Sequence, residues 1–285
     1  MNMKKMLWCI PLIILSAAFT KSGSKINVFL TKDWQTDTVF KCPESVLYNP
    51  EDRFIYVANI NGKADAKDGN GFISRMTLDG KIDELEWVKG LDGPKGMGIH
   101  DGKLYVTDIT RVVVISLDSA KIVQRIDVPG SVFLNDISVD AIGNIYITDS
   151  SDKKIYLLKK GVVKLWLGNS ILEKPNGVLA LEKGLMVIDM NTGIFYQASY
   201  SDKSLSAIAK NIAMGDGVMK AGPDEYIISC WPGEAYYVKG GQVQKILDTK
   251  EEKLNAADAC YIQHEKVLLV PTFFGNSVVA YKLSE

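Results

Sequence analysis

A short apolar phrase recurs six times along the 285-residue chain and constrains the fold more than any other feature. Each copy is an alternating apolar stretch, such as FIYVAN or IYITD, and the copies end at Asn59, Asp108, Asp149, Asp189, Cys230 and Pro271. Successive endpoints are 49, 41, 40, 41 and 41 residues apart. A period kept along a whole chain indicates a repeat architecture, in which each unit packs on its neighbours.

The elements around each phrase also recur. A small-residue strand and a Gly/Asp turn precede it, and a second turn and two further alternating strands, such as KIYLL and VVKLWL, follow it. Four short strands per repeat, separated by turns and without helical periodicity, predict a propeller blade. The sequence therefore predicts an all-β, six-bladed β-propeller with four antiparallel strands per blade, as one domain over residues 19–285.

The two ends of the chain predict how the ring closes. The last repeat stops after three strands, and residues 34–40 precede the first repeat as an orphan strand. We expect this N-terminal strand to complete the sixth blade, because unpaired sheet edges at the seam would otherwise be exposed.

A ring of polar residues is predicted where the innermost strand of each blade begins. Counting back 13 to 15 residues from each endpoint gives Glu44, Lys95, Asn135, Asn176, Asp216 and Ala257. Equivalent positions of a propeller surround one axis, so these side chains should converge. Four of them offer carboxylate or amide oxygen, and Ca²⁺ prefers about six to eight such ligands. No His or Cys falls on the ring, which disfavours zinc.

A hydrated channel without a metal is the alternative for this ring. Lys95 lies in the same tier, and its ammonium group could pair with Glu44 or Asp216 and neutralise the charge that a cation would need. Both readings stay open at the level of sequence.

The motifs around the ring resemble those of the gluconolactonase and senescence-marker-protein (regucalcin-like) family. The matching segments are PESVLYNPEDRFIYVAN, LNDISVDAIGNIYITDS, PNGVLALEKGLMVID and GDGVMKAGPDEYIIS, which contain Glu44, Asn135, Asn176 and Asp216. The resemblance implies a divalent ion, calcium by donor type, bound by these four residues. It also implies that Asp216 serves the chemistry and that Asn135 lies on the metal side or the substrate side.

The function that this resemblance implies is a metal-dependent hydrolase opening a lactone, such as a sugar lactone. NHL-type propellers share the blade pattern without a catalytic metal, so the fold alone does not imply activity. The alternative is a non-catalytic exported propeller that binds a carbohydrate or a peptide at the channel mouth. A scaffold for a protein partner on the cell envelope also stays open.

The first repeat carries about eight extra residues in the segment NGKADAKDGNG, between its second and third strands. Such a loop is most often a solvated turn, but long loops on a rigid scaffold also carry function. We expect it on the ligand face, where Asp65 and Asp68, together with Lys95, would contact a small-molecule substrate. The aspartates at the repeat endpoints, Asp108, Asp149 and Asp189, are expected instead to cap turns or to bond to neighbouring blades.

The N-terminus predicts export. Residues 1–18 combine a basic start, a short apolar run and small residues, the pattern of a cleaved signal peptide, so we expect a periplasmic or extracellular protein. No later stretch is long enough to span a membrane. Cleavage removes two lysines and no acid, which shifts the formal net charge from −1 to −3 and argues against a nucleic-acid partner.

Three cysteines would remain after cleavage, namely Cys42, Cys230 and Cys260. An odd number of cysteines does not form a disulfide framework, so small buried thiols are expected. A bridge between Cys42 and Cys260 stays open, as does the oligomeric state.

Overall fold

Strand pairing follows the repeat. The computed structural model describes residues 26–168 and 171–285, which form six four-stranded antiparallel sheets. The predicted six-bladed propeller is confirmed. The predicted signal peptide lies outside the described residues, and no helix in the described residues is long and apolar enough to cross a membrane.

The first three blades each use four consecutive strands, numbered from the axis outward. Blade one contains β2 to β5, which span Pro43–Tyr48, Phe54–Asn59, Gly71–Thr77 and Ile82–Leu91. Blade two contains β6 to β9, which span Pro94–His100, Lys103–Asp108, Arg111–Ser116 and Lys121–Asp127. Blade three contains β10 to β13, which span Leu134–Val139, Ile145–Asp149, Lys154–Lys159 and Val162–Leu167.

Blades four and five repeat this order, and blade six combines both ends of the chain. Blade four contains β14 to β17, which span Pro175–Leu181, Gly184–Asp189, Ile194–Ala198 and Leu205–Ala209. Blade five contains β18 to β21, which span Gly215–Gly222, Glu225–Cys230, Glu234–Lys239 and Gln242–Asp248. Blade six contains β22 to β24 and then β1, which span Cys260–Ile262, Val267–Pro271, Val278–Ser284 and Phe29–Gln35.

The ring closes through β1, which pairs antiparallel with β24 from Phe29 opposite Ser284 to Gln35 opposite Val279. The orphan strand predicted at residues 34–40 is wrong in its bounds, because the paired residues are Phe29–Gln35. Residues 36–40 instead form a connector that ends at the fully buried Phe40. The connector is needed because the chain must cross from the outer edge of blade six to the axis, where β2 begins.

Apolar faces of adjacent blades form the core. One cluster joins Tyr56 and Ala58 of blade one to Leu104 and Val106 of blade two. Burial of this kind between neighbours gives each sheet the partner that it needs to be stable. Cys42, Cys230 and Cys260 are all free thiols, so the bridge that the sequence left open between Cys42 and Cys260 is absent from the structure.

The endpoint aspartates cap turns, as expected. Asp149 accepts hydrogen bonds from the backbone N–H groups of Val132 and Phe133, at 2.7 and 3.1 Å. Asp108 does the same for Asp92 and Gly93. Asp189 binds the N–H groups of residues 173 and 174. Each aspartate thus fastens the loop that enters the innermost strand of its own blade.

We expect the closing strand to be needed for stability. A chain that starts at Thr36 lacks β1 and loses its pairing with β24, together with the partial burial of Leu30 and Trp34. Its free energy of unfolding should fall by about 2–4 kcal/mol relative to a chain that starts at Ile26. Urea unfolding followed by circular dichroism measures this difference, and equal midpoints would show that β1 does not close the ring.

Candidate functional site

A β-bulge near the start of the innermost strand in blades one to five turns the ring residues toward the axis. In blade one the pairing of β2 with β3 skips one residue at Glu44. In blades two to five the skip occurs at the pairs 95–96, 135–136, 176–177 and 216–217. A bulge leaves its residues out of the ladder and re-aims their side chains. The side chains at the ring positions therefore reach the channel because the same bulge occurs in all five blades.

Five of the six ring residues line one cavity of about 240 Å³ at the axis. Its polar wall consists of Glu44, Lys95, Asn135, Lys174, Asn176 and Asp216. Its apolar wall consists of Ile60, Ala64, Phe133, Met190, Met214, Trp231 and Phe273. The phase of the repeat thus brings together Glu44, Asn135, Asn176 and Asp216, although 40 or more residues separate each from the next.

Two buried oxygens in this cavity have no partner. Oε2 of Glu44 and Oδ1 of Asn176 make no hydrogen bond within the described residues. Glu44 is 5 % exposed and Asn176 is 1 % exposed, so water does not freely replace the missing partners. Burial of an unpaired carboxylate is costly, and the neighbouring charge of Asp216 adds to the cost, so the pKa of Glu44 lies well above its usual range.

Asp216 lies beside these oxygens. The Nδ2 group of Asn176 donates a hydrogen bond to Oδ1 of Asp216 at 2.8 Å. Burial, with the charge of Asp258 as the next cause, raises the pKa of Asp216 to about 8, and the hydrogen bond from Asn176 opposes this shift. Without a bound cation, a carboxyl group with a pKa in this range can accept and release a proton near neutral pH.

Lys95 does not form the ion pair with Glu44 or Asp216 that the sequence left open. Its Nζ donates to the carbonyl oxygens of Ala64 and Gly93, at 3.0 and 2.9 Å, and lies 4.3 Å from the ring centroid of Phe133. Among the ion pairs of the described residues, none includes Lys95. Burial lowers its pKa, while the charge of Glu44 opposes that change.

Asn135 is buried, and a hydrogen bond fixes its side-chain amide on the side away from the cavity. Its Nδ2 group donates to Oγ of Ser150 at 3.2 Å, and that hydroxyl donates in turn to the carbonyl oxygen of Pro175. Because the nitrogen is engaged on this side, the amide oxygen is the part of Asn135 that is left for the cavity.

A second tier lies one residue further along each innermost strand. Its carboxylates are Asp136 and Asp258, and it lines a separate cavity of about 350 Å³ at the opposite mouth of the channel. Both oxygens of Asp136 accept backbone N–H groups, from Ile137 and Val178. Asp258 accepts the hydroxyl of Ser45 at 2.6 Å.

Glycine makes this second tier possible. A Cβ on Gly217 would overlap Oδ1 of Asp258, and a Cβ on Gly177 would overlap the backbone oxygen of Asp216. Both glycines therefore allow a close approach that a side chain would block.

A hard cation fits the donor set of the first cavity. The described residues contain no group of three or more His, Cys, Asp or Glu side chains placed to hold a metal. A cation at the ring would therefore depend on amide oxygen as well as on Glu44 and Asp216. Two carboxylates with amide oxygens are ligands that suit Ca²⁺ rather than zinc. The unpartnered oxygens of Glu44 and Asn176 are the observation that favours this fit.

The loop of the first repeat reaches the cavity through a residue that the sequence did not single out. Ala64 lines the cavity and accepts the hydrogen bond from Lys95, whereas Asp65 and Asp68 are exposed and are not part of the lining. Asp68 instead accepts hydrogen bonds from the backbone and the side chain of Asn70. The structure thus brings Lys95, but not these two aspartates, to the ring.

Sequence reasoning missed several cavity residues. Phe133, Lys174 and Met214 lie in loops that enter innermost strands, and Met190 directly follows a second strand. Phe133, Lys174 and Met214 each lie two residues before the ring residue of their blade, so the repeat did carry a phase for them, but only one position per blade was considered. Trp231 and Phe273 are different, because their place just beyond the second strands of blades five and six already indicated this face. Their ring centroids lie 4.5 Å apart. Proximity to a ring position was the signal that could have found Phe133 and Lys174.

The buried carboxyl groups should make the cation-free protein less stable as pH rises. Burial raises the pKa of Asp258 to about 7 and that of Asp216 to about 8. Between about pH 4 and about pH 8 the folded state therefore holds protons that the unfolded state has lost, so the free energy of unfolding falls as pH rises.

Asp258→Asn should flatten this decline, because an amide keeps an acceptor for Ser45 but does not titrate. Urea unfolding at several pH values, with a chelator present, measures the slope. Asp118→Asn is the matched control, since Asp118 is exposed on an outer turn. An unchanged slope in Asp258→Asn would show that the titration of Asp258 does not contribute to the decline in stability.

Comparison with known proteins yields similar folds and no family. No family model matches the sequence, and no curated protein matches it. A virginiamycin B lyase from Staphylococcus aureus, as a catalytically inactive variant with quinupristin, is 13 % identical with a TM-score of 0.61, covering 90 % of this chain and 99 % of its own. A streptogramin B lyase is 12 % identical with a TM-score of 0.66, and the match covers 90 % of this chain and 98 % of the lyase chain.

A nidogen/laminin complex contains a third similar chain, 17 % identical with a TM-score of 0.64, over 74 % of this chain and 86 % of the other. Likeness at such identity shows the fold alone. The gluconolactonase-like resemblance therefore has no support from a sequence family, whereas the fold of this chain is similar to the folds of these solved structures.

Proposed function

We propose that this chain is a hydrolase that opens a lactone ring with the help of one divalent cation, calcium by the chemistry of its donors. The observation that carries the proposal is the pair of buried, unpartnered oxygens on Glu44 and Asn176, next to the carboxyl group of Asp216. A buried acidic site of this kind is stabilised by a bound cation, which offsets the cost of desolvating its charges.

Glu44, Asn176 and Asp216 would hold the cation, with Asn135 as a fourth oxygen ligand. When bound there, a divalent ion supplies Lewis-acid polarisation of a carbonyl group and stabilisation of the negative charge that develops on its oxygen. The two carboxylates give charge, and the two amides give neutral oxygen. Export after removal of residues 1–18 belongs to the same proposal.

In this scheme Asp216 transfers the proton from the attacking water to the leaving group. It orients the attacking water and takes one of its protons as the water oxygen bonds to the lactone carbonyl carbon. The ring C–O bond then breaks, and the proton passes to the leaving oxygen, which gives a hydroxy acid. Asn176 holds Asp216 in place through the hydrogen bond to Oδ1.

Lys95 supports substrate binding in this scheme. Two of its three N–H groups are used by the carbonyl oxygens of Ala64 and Gly93, which leaves one for a substrate oxygen. Its contact with Phe133 and its two carbonyl partners fix the ammonium group, so little side-chain freedom is lost when the substrate binds.

We expect cation binding to be lost in Glu44→Gln and in Asn176→Ala. Isothermal titration of the metal-free protein with CaCl₂ should give one site, and each substitution should weaken it by about tenfold or more, which corresponds to about 1.4 kcal/mol. Asp118→Asn should bind as the unchanged protein does. If the titration shows no heat of calcium binding, the proposal loses its basis.

Turnover is tested with a panel of lactones in the presence of calcium. The expected result is ring opening that a chelator stops and that Asp216→Asn lowers by about a hundredfold or more. Mass spectrometry of the product must show the gain of one water. An unchanged mass would indicate elimination, and hence a lyase rather than a hydrolase.

A non-catalytic binding propeller is the second candidate, and the aromatic pair at the cavity favours it. Trp231 and Phe273 offer a surface on which a sugar ring could stack. Saturable binding of an oligosaccharide that Trp231→Ala abolishes, without turnover of any lactone, would support this candidate over the hydrolase.

A further inference from the structure

Exposed apolar side chains gather around the mouth of the first cavity. The described chain exposes nine large hydrophobic side chains, and four of them lie in loops that open onto this mouth. We call these four the apolar collar, and they are Val132, Ile171, Met214 and Phe274. Their exposed fractions range from 38 % to 68 %. The other five are spread over outer strands and a turn at the opposite face.

Each collar loop also contributes to the cavity wall. Val132 adjoins Phe133, and Ile171 lies three residues before Lys174. Met214 itself lines the cavity. The ring of Phe274 packs against Phe273 and Trp231, with centroids 4.8 and 6.2 Å apart. At Met214 and at Phe274 the apolar surface is therefore continuous from the wall of the cavity to the protein surface.

The size of the cavity limits what it can enclose. Its 240 Å³ lies below the range of about 300–1,000 Å³ that is usual for pockets that enclose a drug-sized ligand. A lactone ring fits this volume, but a longer substituent on that ring must leave through the mouth. There it meets the collar, whose four side chains offer no hydrogen-bond partner for hydroxyl groups.

We infer that the substrate is a lactone with an unbranched alkyl or acyl substituent, and that this chain lies across the apolar collar. The inference rests on the proposed function, and it names a substrate class for the same site. A substituent rich in hydroxyl groups fits the collar less well, because burying hydroxyls against apolar side chains without partners is unfavourable. The continuity of wall and collar explains why this much apolar surface is exposed at one place.

The test uses γ-lactones that differ only in the length of an alkyl substituent beside the ring oxygen. With the calcium-loaded protein, kcat/KM should rise about two- to fourfold for each added methylene, as expected for partial to full burial of a CH₂ group. Phe274→Ser and Val132→Ser should each reduce this gain per methylene. Ile142→Ser is the matched control, because Ile142 is exposed on the opposite face, and it should keep the full gain.

A binding measurement separates this inference from the proposed function. Lactams with the same alkyl chains resist hydrolysis, so calorimetry reports their affinity whether or not the protein is a hydrolase. Affinity that rises with chain length and falls in Phe274→Ser supports the collar, even if no lactone is turned over.

Two results would overturn the inference. The first is turnover that is independent of chain length or highest for an aldonolactone, which would leave the hydrolase proposal in place. The second is lactam affinity that does not depend on chain length, found together with binding of the protein to phosphatidylcholine vesicles. In that case the unchanged protein binds the vesicles and Phe274→Ser does not. That outcome would assign the collar to a lipid surface.

Discussion

The seam between the first and last blades is the constraint on which the site depends. At the outer edge β1 completes blade six, and at the axis two backbone hydrogen bonds join the innermost strands of blades six and one. The N–H of Asp258 donates to the carbonyl oxygen of Glu44 at 2.9 Å, and the N–H of Val46 donates to that of Asp258 at 3.2 Å. Because Glu44 is itself part of this seam, its carboxyl group takes its place at the axis only when the ring closes.

The axis concentrates acidic groups that would separate if the ring were open. Burial raises the pKa of Glu44 and that of Asp136. The charges of Asp216 and Asp258 raise the pKa of Glu44 further, and that of Asp258 does the same for Asp136, so each carboxyl group makes its neighbours harder to ionise. The fold bears this cost through the packing of blade on blade. Sites where local energetics oppose the rest of the structure are commonly functional, and here the opposition is confined to the two tiers of the channel.

The sequence predicted most of the fold because the repeat carried both the strand order and the phase of the ring. Glu44, Asn135, Asn176 and Asp216 share one cavity because each occupies the bulge at the same point of its blade. The bounds of β1 could not be read, since a connector and an outer strand have similar composition. Asp258 was overlooked although it directly follows the ring position Ala257, because the count considered one residue per blade. The partners of Lys95 depend on the conformation of the loop that contains Ala64, which has no counterpart in other repeats.

The turn-capping aspartates have a consequence for how such a molecule can change. Asp149 fastens the amides of Val132 and Phe133, one in the collar and one in the cavity wall, while Asp108 fastens Gly93, whose carbonyl oxygen holds Lys95. These contacts use backbone atoms of the loops and not their side chains. Residues at the mouth can therefore be exchanged during evolution or design without loosening their anchorage, so new specificities are accessible on an unaltered frame.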